Sequence, residues 1–478
     1  MRTAITTVML VMTLTTLSSP VATALDLKPY AGADAPLMAV GDNQRLALWR
    51  SLTVDAYAAK GSKDPRFDED MARVLETAAA HCVKMPLPMA RDEALTLARR
   101  LAGPEGSSDP LAKWAHFQLC RGGDQRAVLE AASEAVWAFE EDAKAGKAPR
   151  YASLLVVYPL NELLDSWGRT PNPEQREKAL HQANKLAAAI SAVIRDGECD
   201  PAPGSLIRVA RNLDLNHQDF GEPIVAATEA ALAEAKTDPW LGAAMMAALR
   251  INHAWAWRGS GYSNTVTAEG WEGFKSNLAE ADRQLGEAYR LHPQEPLLGV
   301  MGIKVANAGT SQATVKEWLQ RSVAAGFDCM EAYASARNFQ LPRWGGSYVA
   351  MLALGCDCVD TGRFDTPVPW NLIDCLTDVI DDGHSMENLD EMRLALAAPR
   401  VGAALETCLA GYAKLDPSAA GNQGILRVAY LWHAGKTAEA RSELQKLPAD
   451  KRDAGLAERY RLDYAIILGA AGTPTGDF

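Results

Sequence analysis

The sequence predicts an all-α chain in which antiparallel helix hairpins stack one on the next, and three observations carry that expectation. Apolar residues recur at steps of three and four. Alanine abounds, while β-branched alternation over five or more residues is scarce. Helix start and stop signals punctuate the chain at helix-length intervals.

The first element is a leader. A single basic residue, Arg2, precedes an apolar run from Ala4 to Leu17, followed by Ser18, Ser19, Pro20 and the small-residue pattern Ala22-Thr23-Ala24. That is the three-part layout of a secretory signal peptide over 1–24, cleaved after Ala24; the run is too short for a comfortable membrane span. The mature chain is therefore expected in the periplasm or outside the cell, without a transmembrane segment.

Beyond the leader, an acid or amide followed by proline recurs at Asp64-Pro65, Asp109-Pro110, Asn172-Pro173, Asp238-Pro239 and Asp416-Pro417. A side-chain oxygen at the N-cap accepts from free backbone N–H groups, and proline at the first helical position loses no hydrogen bond, so each pair is expected to open a helix. Gly61, Gly168, Gly197, Gly309, Gly326, Gly362, Gly383, Gly435 and Gly472 stand where stops are expected. Between these signals fit about twenty helices of roughly ten to twenty residues. The clearest stripe is Trp271, Phe274, Leu278, Ala281, Leu285, Ala288 and Leu291, with Glu272, Lys275, Glu280, Asp282, Arg283, Glu287 and Arg290 on the rest of that helix's surface. No single hairpin buries such a face alone, so serial hairpins stack into a solenoid; a closed α/α toroid is the alternative.

From Ile425 to Pro448, Leu426, Ala429 and Tyr430 precede a turn at Gly435, then Thr437, Ala440 and Leu444 lead to Pro448. This spacing resembles the tetratricopeptide repeat, and a looser match runs from Ala279 to Pro293. The aromatic and glycine positions of the repeat's first helix are not consistently filled, so the repeats are degenerate. The resemblance covers about half the chain and implies an architecture without a shared ligand. The segment AWAWRGSGYSNTVTAEGW (254–271) together with PRWGGS (342–347) resembles an uncharacterised bacterial family with tetratricopeptide-like helices, which brings no activity with it. The expected organisation is a signal peptide over 1–24, an N-terminal helical array over 25–220 and a tetratricopeptide-like repeat region over 221–478.

The 478 residues are 48% hydrophobic, with a net charge of -12 and a pI near 5.3. An acidic chain without clustered Lys and Arg disfavours nucleic acid or an anionic membrane surface as partner. Eight cysteines, Cys82, Cys120, Cys199, Cys329, Cys356, Cys358, Cys375 and Cys408, leave disulfides and buried free thiols both open. Cys356-x-Cys358 lacks the paired C-x-x-C spacing of a zinc site.

Three constellations are candidates for chemistry. His253, Trp255, Trp257, Arg258, Tyr262 and Trp271 form the densest aromatic segment, beside a glycine turn; rings there stack on sugars or peptides, and Arg258 clamps a carboxylate. The competing reading packs Trp255 and Trp257 between hairpins. In PRWGGS, Arg343 and Trp344 stand before a helix beginning near Ser347, a place for an anion, or a tight turn in which Trp344 plugs the core. Asp378, Asp381, Asp382, Gly383, His384 and Glu387 invite a calcium reading, but counting an EF-hand from Asp378 puts Ile380 third and Leu389 twelfth, where oxygens are needed; a solvated helix end is expected.

No G-x-S-x-G elbow, H-E-x-x-H helix, Walker loop or C-x-x-C-H site occurs. The expectation is an exported scaffold binding a protein or peptide partner in the cell envelope, without a cofactor, and not an enzyme. The alternative is a small carbohydrate- or peptide-binding protein using Trp255, Trp257, Arg258, Tyr262, Arg343 and Trp344; an envelope hydrolase or lyase ranks behind both.

Overall fold

A computed structural model describes residues 25–146, 149–168, 172–213, 215, 218–259, 261, 263–415, 420–449 and 452–469. The expected leader, Asp416-Pro417, Gly472 and Tyr262 lie outside the described residues. Helix accounts for 74% of the described residues, with no strand among them, so the fold is all-α. Two compact units divide the described chain: residues 30–338, and residues 25–29 together with 339–469. The boundary expected at 220/221 falls inside the larger unit. There the helix Gln218–Ala235 runs unbroken across it and packs on Pro173–Arg195, with the short helix Gly204–Asn212 between them in the chain.

In the larger unit consecutive helices pair. Pro110–Cys120 packs on Gln125–Ala145, Leu154–Gly168 on Pro173–Arg195, Pro239–Arg258 on Ala268–Leu291 and Pro296–Asn307 on Val315–Ala325. Three of the expected starts are real caps: Asp109, Asn172 and Asp238 each accept from a backbone N–H two residues on, with proline at the first position. Glu295-Pro296 is a further start of the same form. Asp64-Pro65 opens a turn instead, and the next helix begins at Asp68. The apolar stripe of Ala268–Leu291 is buried from Phe274 to Ala288, and Leu291 at its end is exposed. Pro296–Asn307 approaches its neighbour so closely that a Cβ at Gly299 would meet the backbone beneath Ser322, and one at Gly302 the Trp318 ring. Trp318 is fully buried in that seam.

The smaller unit has its own core, built on Tyr348, Met351, Leu372, Val379, Leu405 and Ile425. The hairpin expected over Ile425–Pro448 is present as helices Ala420–His433 and Thr437–Lys446, joined through Gly435 at φ +77. Gly383 does not end a helix. It sits inside Asn371–Ser385, where a side chain would meet Met392.

All eight cysteines are free thiols, seven of them buried and Cys82 half-buried, so the structure takes the buried-thiol alternative over disulfides. Burial pushes the Cys199 and Cys408 thiols up to about 12, as for inert core residues. Among the described residues no single helix is long and apolar enough to cross a membrane.

Candidate functional site

The aromatic segment is spent on a helix seam. Trp257 lies against Gly273 so tightly that a Cβ there would enter the ring, and Trp255 meets Phe274 edge-on at 5.2 Å. Arg258 sits 5.5 Å from the Trp255 ring and 5.8 Å from that of Trp271, and donates to the Gly259 and Gly261 carbonyls at 3.1 Å. The structure thus brings Trp255, Arg258 and Trp271 into one cation–π cluster closing the turn.

Arg343 and Trp344 belong to the smaller unit. Ser347 caps the helix Tyr348–Val359, as expected, and Gly345 adopts the left-handed φ of +86 that the turn needs. Trp344 does not plug the core: it is 38% exposed and meets Phe339 edge-on. Arg343 ion-pairs with Asp382, whose other oxygen accepts from the Tyr348 hydroxyl at 2.8 Å. Asp382 is only 6% exposed, a buried anchor inside the helix, whereas Ser385, Met386 and Glu387 at the helix end are exposed, as expected of a solvated end. The anion that Arg343 attracts is a carboxylate of its own chain.

A different place in the larger unit has the form of a binding site: an open cleft of about 770 Å³, within the usual range for ligand sites. Its floor is aromatic. Trp49 stacks on the buried Trp114 and tilts against Tyr158, each at 5.8 Å. Immediately after Trp49 the helix Ala39–Arg50 passes into a π-helical turn, Ser51–Asp55, a local widening often found at functional sites.

One wall is a single helix face. Tyr158, Asn161, Glu162 and Asp165 of Leu154–Gly168 are spaced at three, four and seven residues, so their side chains project together. The opposing residues come from helix ends. His81 and Cys82 close Asp68–Cys82, with Lys84 beyond at φ +59. Arg121 caps Pro110–Cys120, and Gly122 at φ +82 turns the chain toward Gln125. Arg121 lies 5.1 Å over the Tyr158 ring and donates to Gln118 Oε1 at 3.3 Å, which holds the guanidinium with donors to spare. Gln125 donates to Glu162 at 3.2 Å.

The cleft carries fixed charge and neutral titratable groups. Burial, then Arg91 and Arg121, lowers the His81 pKa. Burial pushes the Cys82 thiol and the Tyr158 phenol up to about 12. Cys82 is thus held as a thiol, which is a poor nucleophile. The cleft is lined by the cations of Arg121 and Lys84 and the carboxylates of Glu162 and Asp165. None of these residues belongs to a motif. They span positions 49 to 212, and the one local signal is a polar face on the otherwise apolar sequence LLVVYPLNELLDSWG.

Two further cavities lie among the described residues. One, of about 590 Å³ in the larger unit, is bordered by Met38, Trp240, Tyr289 and Pro296; the other, of about 430 Å³ in the smaller, by His384, His433, Arg393 and Arg461. None of the three is lined by Trp255, Trp257, Arg258, Arg343 or Trp344. No family model, no curated protein and no solved structure matches the chain.

Proposed function

We propose that the chain is an exported, tetratricopeptide-like helical-repeat protein that binds a peptide segment of a protein partner in the periplasm or outside the cell, and that the cleft at Trp49, Arg121 and Glu162 receives it. The observation that carries this reading is the pairing of opposite charges around one cleft. Arg121 and Lys84 suit peptide carbonyls and carboxylates, Glu162 suits amide N–H groups and ammonium, and the Gln125 amide matches a backbone in both senses. Consecutive pairing of helices supports the repeat architecture.

The cleft favours a peptide over a sugar. Sugars stack on open ring faces, whereas Trp49 is buried against Trp114 and Tyr158 is covered by Arg121. The test is selection from a displayed random peptide library, followed by calorimetry of the selected peptide. Arg121→Gln and Glu162→Gln are each expected to weaken binding on the order of 10-fold to 100-fold, the worth of a hydrogen bond to a charged group. Selected peptides that bind both variants as tightly as the wild type would place the partner elsewhere.

A further inference from the structure

The Leu25 nitrogen lies 2.6 Å from Oδ2 of Asp357, in a buried contact between positions 332 residues apart. Residues 25–28 alternate between buried and exposed up to the 3-10 turn that begins at Lys28: Leu25 and Leu27 are buried, the latter 1% exposed, while Asp26 and Lys28 face solvent. The segment is therefore docked by side chains as well as by one hydrogen bond, within the unit that contains residues 339–469.

Asp357 is an expensive residue for an amide to satisfy. It is 6% exposed and stands in the last turn of Tyr348–Val359, where free helix carbonyls repel negative charge. Its Oδ1 accepts from Arg400 at 2.5 Å, but the same Arg400 nitrogen also donates to Asp360 at 2.9 Å. One guanidinium is thus shared by two carboxylates, leaving the cluster one positive charge short. The position that would supply it, Oδ2, holds the nitrogen of the residue after Ala22-Thr23-Ala24.

We propose that removal of residues 1–24 creates a buried ion pair between the α-ammonium of Leu25 and Asp357, so that processing completes the fold of the smaller unit. This inference rests on the export reading. In the reaction a leader peptidase directs water onto the Ala24 carbonyl, the Ala24–Leu25 C–N bond breaks, and the water oxygen stays on Ala24 as carboxylate. The Leu25 nitrogen leaves with two hydrogens and takes up a third proton as ammonium. Before cleavage Asp357 receives one neutral N–H; afterwards it receives a charge-assisted bond, the stronger kind.

Two measurements on the full mature protein separate processing from pairing. The first is the intact mass of the chain recovered from an exporting host, expected to begin at Leu25; any other start overturns the processing step. The second compares the thermal midpoint of a chain beginning at Leu25 with one beginning at Thr23, which keeps the Leu25 N–H as a donor and moves the charge away. The Leu25 chain is expected to melt higher, by on the order of 5 °C, and the difference should vanish in Asp357→Asn. Equal midpoints, or a difference that persists in Asp357→Asn, would overturn the pair. Should Asp357→Asn not fold, hydrogen exchange in Tyr348–Val359 decides between the two wild-type chains: slower exchange in the Leu25 chain is expected, and equal exchange overturns the pairing. Neither measurement depends on the peptide cleft.

Discussion

Asp109→Ala is expected to cost about 3–5 kcal/mol of stability, the usual consequence of removing one partner from a buried charged network. Asp109 is 1% exposed, and every part of its carboxylate is in use. It accepts from the Leu111 and Ser62 backbone N–H groups at 3.0 Å each, from the Tyr151 hydroxyl at 2.8 Å and from Arg150 at 3.4 Å. Alanine would leave the buried Tyr151 hydroxyl and the helix N-terminus without an acceptor. Asp109→Asn keeps an oxygen for the cap and is expected to recover part of the loss. Urea denaturation of the three proteins measures this, and equal midpoints for wild type and Asp109→Ala would refute it. The same carboxylate joins the start of the helix that carries Arg121 to the lead-in of the helix that carries Tyr158 and Glu162. The alanine variant is therefore also expected to bind peptide more weakly.

The smaller unit is expected to lose about 3 kcal/mol as pH falls from 6.5 to about 4, through His433. His433 Nε2 is 2.8 Å from the Tyr460 carbonyl and so donates to it, which leaves Nδ1 to accept from His384 at 3.3 Å. Burial first, and then the charges of His384, Arg393 and Arg461, lower its pKa to about 4. The folded protein thus keeps the neutral ring. The unfolded chain takes up the proton first as pH falls below 6.5, so stability is full above that value, declines down to about 4 and levels off below. His384, also lowered by burial and by Arg461 and Arg393, acts in the same direction. Other carboxylates titrate in this range, so the quantity to read is the difference between wild type and His433→Gln. Hydrogen exchange along Ala420–His433 should show a steeper pH dependence in the wild type; equal slopes would exclude this origin.

The helices were legible because their signals are local. A capping oxygen at Asp109, Asn172 or Asp238 acts within two residues, and the stripe from Phe274 to Ala288 repeats within one helix. The further partners of Asp109 come from residues 62, 150 and 151, which no spacing rule connects to it. The aromatic density from His253 to Trp271 suggested a ligand platform, while the structure uses those rings to seal two helices. Gly270 and Gly273, three apart and facing Trp257, were the available sign of that close approach. The cleft stayed hidden because Trp49, Arg121 and Glu162 are far apart in sequence and meet only through tertiary packing. Leu25 and Asp357 are the extreme case.

The most direct test of peptide binding is a photoreactive amino acid placed at Gln125 in the cleft, irradiated with the selected peptide in a hundredfold excess over its Kd. A control chain carries it at Leu394, which is 75% exposed in the other unit. A peptide adduct is expected at 125 that Arg121→Gln suppresses, and none at 394. Adducts of equal yield at both positions, or none at 125, would contradict it.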